Sequence, residues 1–372
     1  VKIVYDATPL LMRSAGVKNY HHSLIEKLLD LVGPAGVSLD LFPYLDGLAP
    51  NDNERSNYPF PTTALRLAGI LGCNYAGYPY AAAAVKDASL FHMTQHLWRP
   101  PSGVRLTSMV HDPTPITLPK CHTASNIRYF ERFVRDVLPR LDGIITPSET
   151  VREELMNELS VDGEKIRAIP HGVDPDFYEV SQAQFQVARE TYGLPPHFVL
   201  FVGSMEPRKN LERLAQAFDM LPAKMQSEYP LVIAGTSGWK NDQIRARLGK
   251  NKNVHLIGYV RRELLPAVYA SCAAFVFPSL YEGFGLPVVE AMAAGAPVIC
   301  SNVSALPEVA GGGAMLVDPQ DVDGWTTAMV KVLSDPHRAK VMADAGRQRS
   351  RSFSWNRTAT ETLEFFASVA SR

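Results

Sequence analysis

In the stretch YEGFGLPVVE, Glu282 and Glu290 stand eight positions apart, with Gly283, Gly285 and Pro287 between them. Proline suits the first turn of a helix, where its missing N–H costs little. The pattern predicts a helix from about Pro287 through Ala294, ended by Gly295. Its N-terminus would offer N–H groups from Gly285 and Leu286 onward, and the positive end of the helix dipole. Glycines at 283 and 285 let a ligand approach the backbone, which suits a phosphate. Glu282 lies before the helix and Glu290 about one turn inside it. The two acids would therefore reach different parts of one ligand. A loop glycine pair beside a helix-terminal acid is the plainer reading of the same residues.

Four further stretches carry candidate site residues. In FVGSMEPRKNL (201–211), Arg208 and Lys209 precede a helical pattern that Asn210 can cap. Two cations at the end of an apolar run fit a diphosphate, Arg by its fork and Lys as a point charge. In MVHDPTP (109–115), His111 and Asp112 follow another apolar run. His111 could bond a sugar hydroxyl or act as an acid or base, and Asp112 could orient it or cap the turn before Pro113. His171 in IPHGVDPDF repeats the idea beside the expected hinge. In RSAGVKNY (13–20), Gly16 opens a helix where backbone could meet a phosphate or sugar, or serves as an ordinary turn glycine.

These residues need strand ends to hold them. Short apolar runs alternate with helical stretches along the whole chain. The first series is KIVYDA (2–7), VSLDLF (37–42), SLFHM (89–93), LTSMVHD (106–112), GIITPS (143–148) and IRAIPHG (166–172). The second is HFVLFVGS (197–204), PLVIAG (230–235), VHLIGYV (254–260), AAFVFPS (273–279), PVICS (297–301) and AMLVDP (314–319). Runs of Val, Ile and Phe with little polar alternation suit parallel strands covered on both faces. Alternation with helices implies an α/β architecture.

A length of 372 residues favours two domains. The expected division is 1–180, 181–353, and a helix over 354–372 that crosses back to the first domain, with a hinge around Asp176 to Ser181. Two doubly wound sheets would face each other across a cleft, with ligands at the carboxyl ends of the strands.

A formal net charge of −1 gives no global field to recruit nucleic acid. Four scattered cysteines (Cys73, Cys121, Cys272, Cys300) have no zinc spacing and suit reduced core thiols. VKIVYDATPL reads as a strand, not a leader, so no signal peptide is expected, and the scattered cysteines suit a cytoplasmic protein. The uncharged run Leu67 to Val85 contains Asn74, Pro79 and tyrosines, which argues against a spanning helix. Arg128, Arg132 and Arg135 share a helix face that could touch an anionic membrane; Glu131 and Asp136 dilute it, and a solvated face is the better reading.

Other chemistries fit less well. GFGLPV lacks the glycine spacing of a dinucleotide fingerprint. The D-x-D pairs at 174–176 and 321–323 read as hinge and helix cap, so no metal is expected.

Taken together, EGFGLPVVE, EPRKN, AGVKNY, HDPTP and HGVD resemble the retaining glycosyltransferases of family 4, which have the GT-B fold of two Rossmann-like domains. The likeness spans nearly the whole chain and is closer in the second half. About 43–88, including LAGILGCNYAGYPYAAAAV, match nothing in the family pattern; acceptor specificity would lie there. The resemblance implies transfer of a hexose from a nucleoside-diphosphate sugar, GDP-mannose before a UDP-sugar, to a hydroxyl of a glycan, lipid-linked or small-molecule acceptor. It implies no cofactor beyond that donor. Glu290 would hold the ribose. Arg208 and Lys209 would hold the diphosphate. Glu282 and the backbone of Phe284, Gly285 and Leu286 would meet the donor sugar and β-phosphate. His111 would face the sugar, Gly16 would approach donor from the first domain, and backbone at Tyr259 and Val260 would hold the base. A GT-B-like epimerase and a glycan binder without catalysis are the alternatives. The expected setting is the cytoplasm, with weak contact at the inner face of the membrane.

Overall fold

A computed structural model describes residues 1–13, 16–236, 238 and 242–372. The chain divides into two compact units, Val1–Gly172 with Trp355–Arg372, and Val173–Ser354. The first contains β1 (Lys2–Asp6), β2 (Ser38–Phe42), β3 (Leu90–Met93), β4 (Arg105–Met109), β5 (Gly143–Thr146) and β6 (Ile166–Ala168). They form one parallel sheet in the order β2-β1-β3-β4-β5-β6. The second contains β7 (Val199–Val202), β8 (Leu231–Ala234), β9 (Val254–Gly258), β10 (Ala274–Phe277), β11 (Val298–Ser301) and β12 (Met315–Val317). Their order is β12-β11-β10-β7-β8-β9, again parallel. Every strand of β3, β5, β8, β10 and β11 is buried along its length, as two covered faces require.

The units part between Gly172 and Val173, earlier than the Asp176–Ser181 stretch where a hinge was expected. The reason is packing. Phe177 sits in the core of the second unit, against the same apolar cluster as Tyr269 and Phe275. Ser181 begins a helix of that unit, Gln182–Tyr192, with a full capping box to Gln184.

The last helix, Trp355–Ala370, belongs to the first unit. Trp355, Phe365, Phe366 and Val369 are buried in the apolar cluster that contains Tyr5, Leu24 and Leu28. The approach to β5 is close. A Cβ on Gly143 would lie 2.7 Å from the Phe365 ring, so a residue with a side chain would push the helix off the sheet.

All four cysteines are buried, and none is in a disulfide. Burial pushes the Cys300 thiol up to about 12.

Candidate active site

In the second unit the strand order reverses direction between β7 and β10, the pair with which each half of the sheet begins. Loops beyond the carboxyl ends of strands at such a reversal diverge and leave a crevice. The loop after β7 carries Arg208 and Lys209. The loop after β10 carries Glu282 through Gly285. The topology therefore brings two distant sequence motifs to one place.

The loop after β7 tightens into a short turn, Pro207–Lys209, before the helix Leu211–Asp219. Asn210 sits at the helix start in the left-handed conformation, φ 59°. It does not cap the helix with its side chain, contrary to expectation. Its Nδ2 instead donates to the Pro278 carbonyl at 3.0 Å and the Pro319 carbonyl at 2.7 Å. It thus ties the turn to the loop after β10.

That tie is reinforced. The Leu280 amide donates to the Arg208 carbonyl at 2.8 Å, and Arg208 Nη1 donates to the Tyr281 carbonyl at 2.8 Å. On the far side, the Glu282 amide donates to Ser304 Oγ at 2.8 Å. Gly285 then turns the chain into the helix Leu286–Ala293 with φ 98°. Any Cβ there would stand 2.6 Å from Leu306 Cδ2, so glycine is needed for conformation and space alike.

The charged side chains form one buried network. Lys209 Nζ lies 2.7 Å from Glu282 Oε1, and Arg208 Nη1 lies 3.0 Å from Glu282 Oε2. Arg208 Nη2 also meets Glu206 Oε1 at 2.9 Å. Two cations and two carboxylates are thereby balanced out of water. Burial would push the Glu282 carboxyl up, but Arg208 and Lys209 overcome it and hold the pKa at about 2. Glu206, buried at the head of EPRKN, had no role in the sequence reading. Its signal was its place two residues before Arg208, which a lone acid in a loop does not announce.

Glu290 stands apart from this network, one turn into the same helix. Tyr269 Oη donates to its Oε2 at 3.0 Å. Part of Glu290 stays open to the surface, yet the dense protein around it raises its pKa; Arg262 opposes that rise. Arg262 is also ion-paired to Asp174, so the first D-x-D acid has a structural partner. In the second, Asp321 Oδ1 accepts from the Gly324 amide at 2.8 Å and caps a helix. Tyr259 and Val260 directly follow β9. Val260 points into the core, leaving its backbone as the part that can meet a ligand.

In the first unit, His111 lies beyond the end of β4. Its ring packs edge-on against Tyr20, with centroids 5.0 Å apart, and lies 5.7 Å from His171. Its Nε2 is buried without a hydrogen-bond partner among the described residues. Burial lowers its pKa to about 4, against the pull of Asp112, so the ring is neutral near pH 7. Asp112 does not orient it. Its Oδ1 accepts from the Thr114 amide at 3.0 Å and from the Thr114 hydroxyl, closing the turn. Gly16 begins the helix Gly16–Val32, while Ser14 and Ala15 of the same motif lie outside the described residues. In that helix Lys18 is fully buried, and its Nζ donates to the carbonyls of Met12, Asp52 and Arg55 at 2.9, 2.5 and 2.6 Å. Lys18 had no role in the sequence reading; two of its three carbonyl partners come from a loop more than thirty residues away.

Two family models match the chain: Glycosyltransferase Family 4 over residues 16–177, and Glycosyl transferases group 1 over residues 185–349. The O-antigen chain mannosyltransferase B of Escherichia coli is 30% identical, over 98% of this chain and 99% of that one. Among solved structures, a sucrose-phosphate synthase from Thermosynechococcus elongatus superposes with a TM-score of 0.75 at 22% identity, covering 100% of this chain and 99% of that one. Anabaena HepE, solved in complex with UDP and glucose, superposes with a TM-score of 0.70 at 18% identity, covering 98% and 99%. At such identities the likeness to both structures concerns the fold.

Proposed function

The chain belongs to the GT-B glycosyltransferases of family 4, and from that premise we propose that it is a retaining, metal-independent hexosyltransferase of glycan assembly with GDP-mannose as donor. The observation that carries this reading is the buried Arg208–Lys209–Glu282 network at the sheet's reversal point, beside a helix N-terminus. The mannosyl specificity follows the E. coli relative's name. A UDP-sugar is the second reading, prompted by the UDP in the HepE structure.

In this reading the bond from the sugar's anomeric carbon to the β-phosphate oxygen breaks, and a bond to the acceptor oxygen forms on the same face. Negative charge grows on the leaving diphosphate while the sugar becomes oxocarbenium-like. Arg208, Lys209 and the first-turn amides of Leu286–Ala293 stabilise that charge, a preorganised arrangement that does not need a metal. The acceptor's proton must go elsewhere than Glu282. A carboxyl with a pKa of about 2 is a weak base near neutral pH. The departing phosphate oxygen takes the proton in this scheme, and Glu282 holds the two cations in place and steadies positive charge on the sugar.

Glu290 receives the ribose hydroxyls, with Tyr269 fixing one carboxylate oxygen. Backbone at Tyr259 and Val260 receives the base. His111, neutral and with an unpartnered Nε2, is suited to hydrogen-bonding a sugar hydroxyl rather than to delivering charge. The acceptor is a glycan, lipid-linked or small-molecule hydroxyl.

The test is product analysis. Purified protein, GDP-α-mannose and candidate mannosyl acceptors should yield an α-linked product with chelator present. A β-linked product, or activity restored only by a divalent cation, overturns the corresponding part.

A further inference from the structure

Lys18 has no part in the scheme above, yet it is fully buried, which lysine almost never is without a partner for its charge. Its ammonium has three donors, and three main-chain carbonyls accept from it. The carbonyls differ in kind. Met12 ends the short turn Thr8–Leu11, whose residues are all buried, so it is a fixed post. Asp52 and Arg55 belong to residues 43–59, which join β2 to the helix Phe60–Leu71 and contain no helix or strand. Connections of that length without regular structure are uncommon in compact domains. Their main-chain groups have no ladder to bond to, so side chains must hold them.

The helix Gly16–Val32 supplies those side chains. Beside Lys18, Asn19 Oδ1 accepts from Asn51 Nδ2 at 2.7 Å, and His22 Nε2 donates to the Ala49 carbonyl at 3.1 Å. Positions 18 and 22, and 19 and 22, are neighbours on a helix surface, so the segment is strapped to one face. The segment also closes on itself: Asp52 accepts from the Glu54 amide at 3.0 Å and from Arg55 Nε at 2.6 Å. Tyr20 of the same helix packs against His111. The segment follows β2 and His111 follows β4, so both lie at the carboxyl edge of one parallel sheet. Asn51 Oδ1, Asn53 Oδ1 and Asn57 Nδ2 have no partner among the described residues. Amide acceptors and a donor in want of partners are the mixture that sugar hydroxyls satisfy.

We propose that Lys18 is a positioning residue: it fixes residues 49–57 as the wall on which an acceptor sugar is seated, and itself touches no substrate. The inference rests on the glycosyltransferase reading, which gives the nucleotide and diphosphate to residues of the second unit and leaves the acceptor to the first. Removing the ammonium strands three carbonyls. The Met12 carbonyl stays where its turn holds it, while those of Asp52 and Arg55 move toward water and take the segment with them. The loss therefore falls on the acceptor and spares the donor.

Two assays on the full chain test this: hydrolysis of GDP-mannose without acceptor, and transfer from it to a mannoside. Lys18→Met keeps the side chain's length and removes its charge. Its acceptor KM should rise at least about tenfold, with donor KM and hydrolysis rate within about twofold of wild type. Hydrogen exchange should quicken in peptides covering 47–58 and not in those covering β3 or β5. Asn19→Ala, at a half-buried position, cuts a second strap and leaves Lys18 in place. It should raise acceptor KM about threefold, and it decides the matter if Lys18→Met does not fold. Unchanged acceptor KM, unchanged exchange over 47–58, or donor and acceptor KM rising together overturns the inference and leaves the transferase reading standing. A wild type that neither hydrolyses nor transfers from any nucleotide sugar overturns that reading, and this inference with it.

Discussion

Lys209 Nζ and Glu282 Oε1 lie 2.7 Å apart, and each side chain is only 9% exposed. They come from loops after β7 and β10, and the second oxygen of Glu282 is engaged by Arg208. In the proposed scheme, each cation is held where an incoming diphosphate can exchange with a carboxylate, without a search through rotamers. Preorganisation of this kind is the main lever enzymes have on developing charge.

Lys209→Ala should lower kcat by roughly 10²- to 10³-fold, as for loss of one preorganised donor. Glu282→Gln should also cost about 3–5 kcal/mol of folding stability, because it leaves two buried cations with less counter-charge. Steady-state kinetics and urea unfolding of the two purified variants measure these effects. Near-normal turnover in Lys209→Ala would remove that residue from the mechanism.

Glu290 and Tyr269 should act on binding. Glu290→Ala is expected to raise donor KM with little change in kcat, and Tyr269→Phe to do the same more weakly, since it removes one bond to the carboxylate. A donor titration with acceptor held in excess separates the two constants. If KM for donor stays put in Glu290→Ala, the ribose assignment is wrong.

Acid should weaken the first unit before carboxylates titrate. Burial lowers the pKa of His21, His92, His96, His111 and His171, with His92 at about 3 and His111 at about 4. Unfolded, each would take a proton near pH 6.5, so below that the unfolded chain binds more protons. Stability is then full above about pH 6.5 and is lost as pH falls toward 4, on the order of 1 kcal/mol per pH unit for each histidine. Glu282 adds to the loss below about pH 4.5, its unfolded value, as pH drops toward 2. The urea midpoint at about pH 5.5 should lie well under that at about pH 7.5; equal midpoints would mean that the histidines are not held neutral.

What the sequence made legible follows physical scale. Strand positions, the turn at Gly285 and the helix carrying Glu290 are local, so periodicity, glycine and Pro287 announced them. The meeting of Arg208, Lys209 and Glu282 was foreseeable from topology, because strand ends at a reversal collect their loops. Their mutual neutralisation was not, since pattern does not show which cation faces which acid. Asn210 was misjudged for the same reason: capping is a local habit of Asn, but the nearby Pro278 and Pro319 carbonyls took its amide. The boundary at Gly172 was displaced because the more polar 174–181 stretch hides one anchor, Phe177, that only the folded core reveals.

The most direct test of the central claim is calorimetric titration of nucleotide sugars into wild type and Lys209→Ala. GDP-mannose should bind the wild type, more tightly than UDP-glucose, and the variant at least about tenfold more weakly, as expected for loss of a charge-assisted contact to phosphate. Failure of any nucleoside-diphosphate sugar to bind, or equal affinity in the variant, would contradict it.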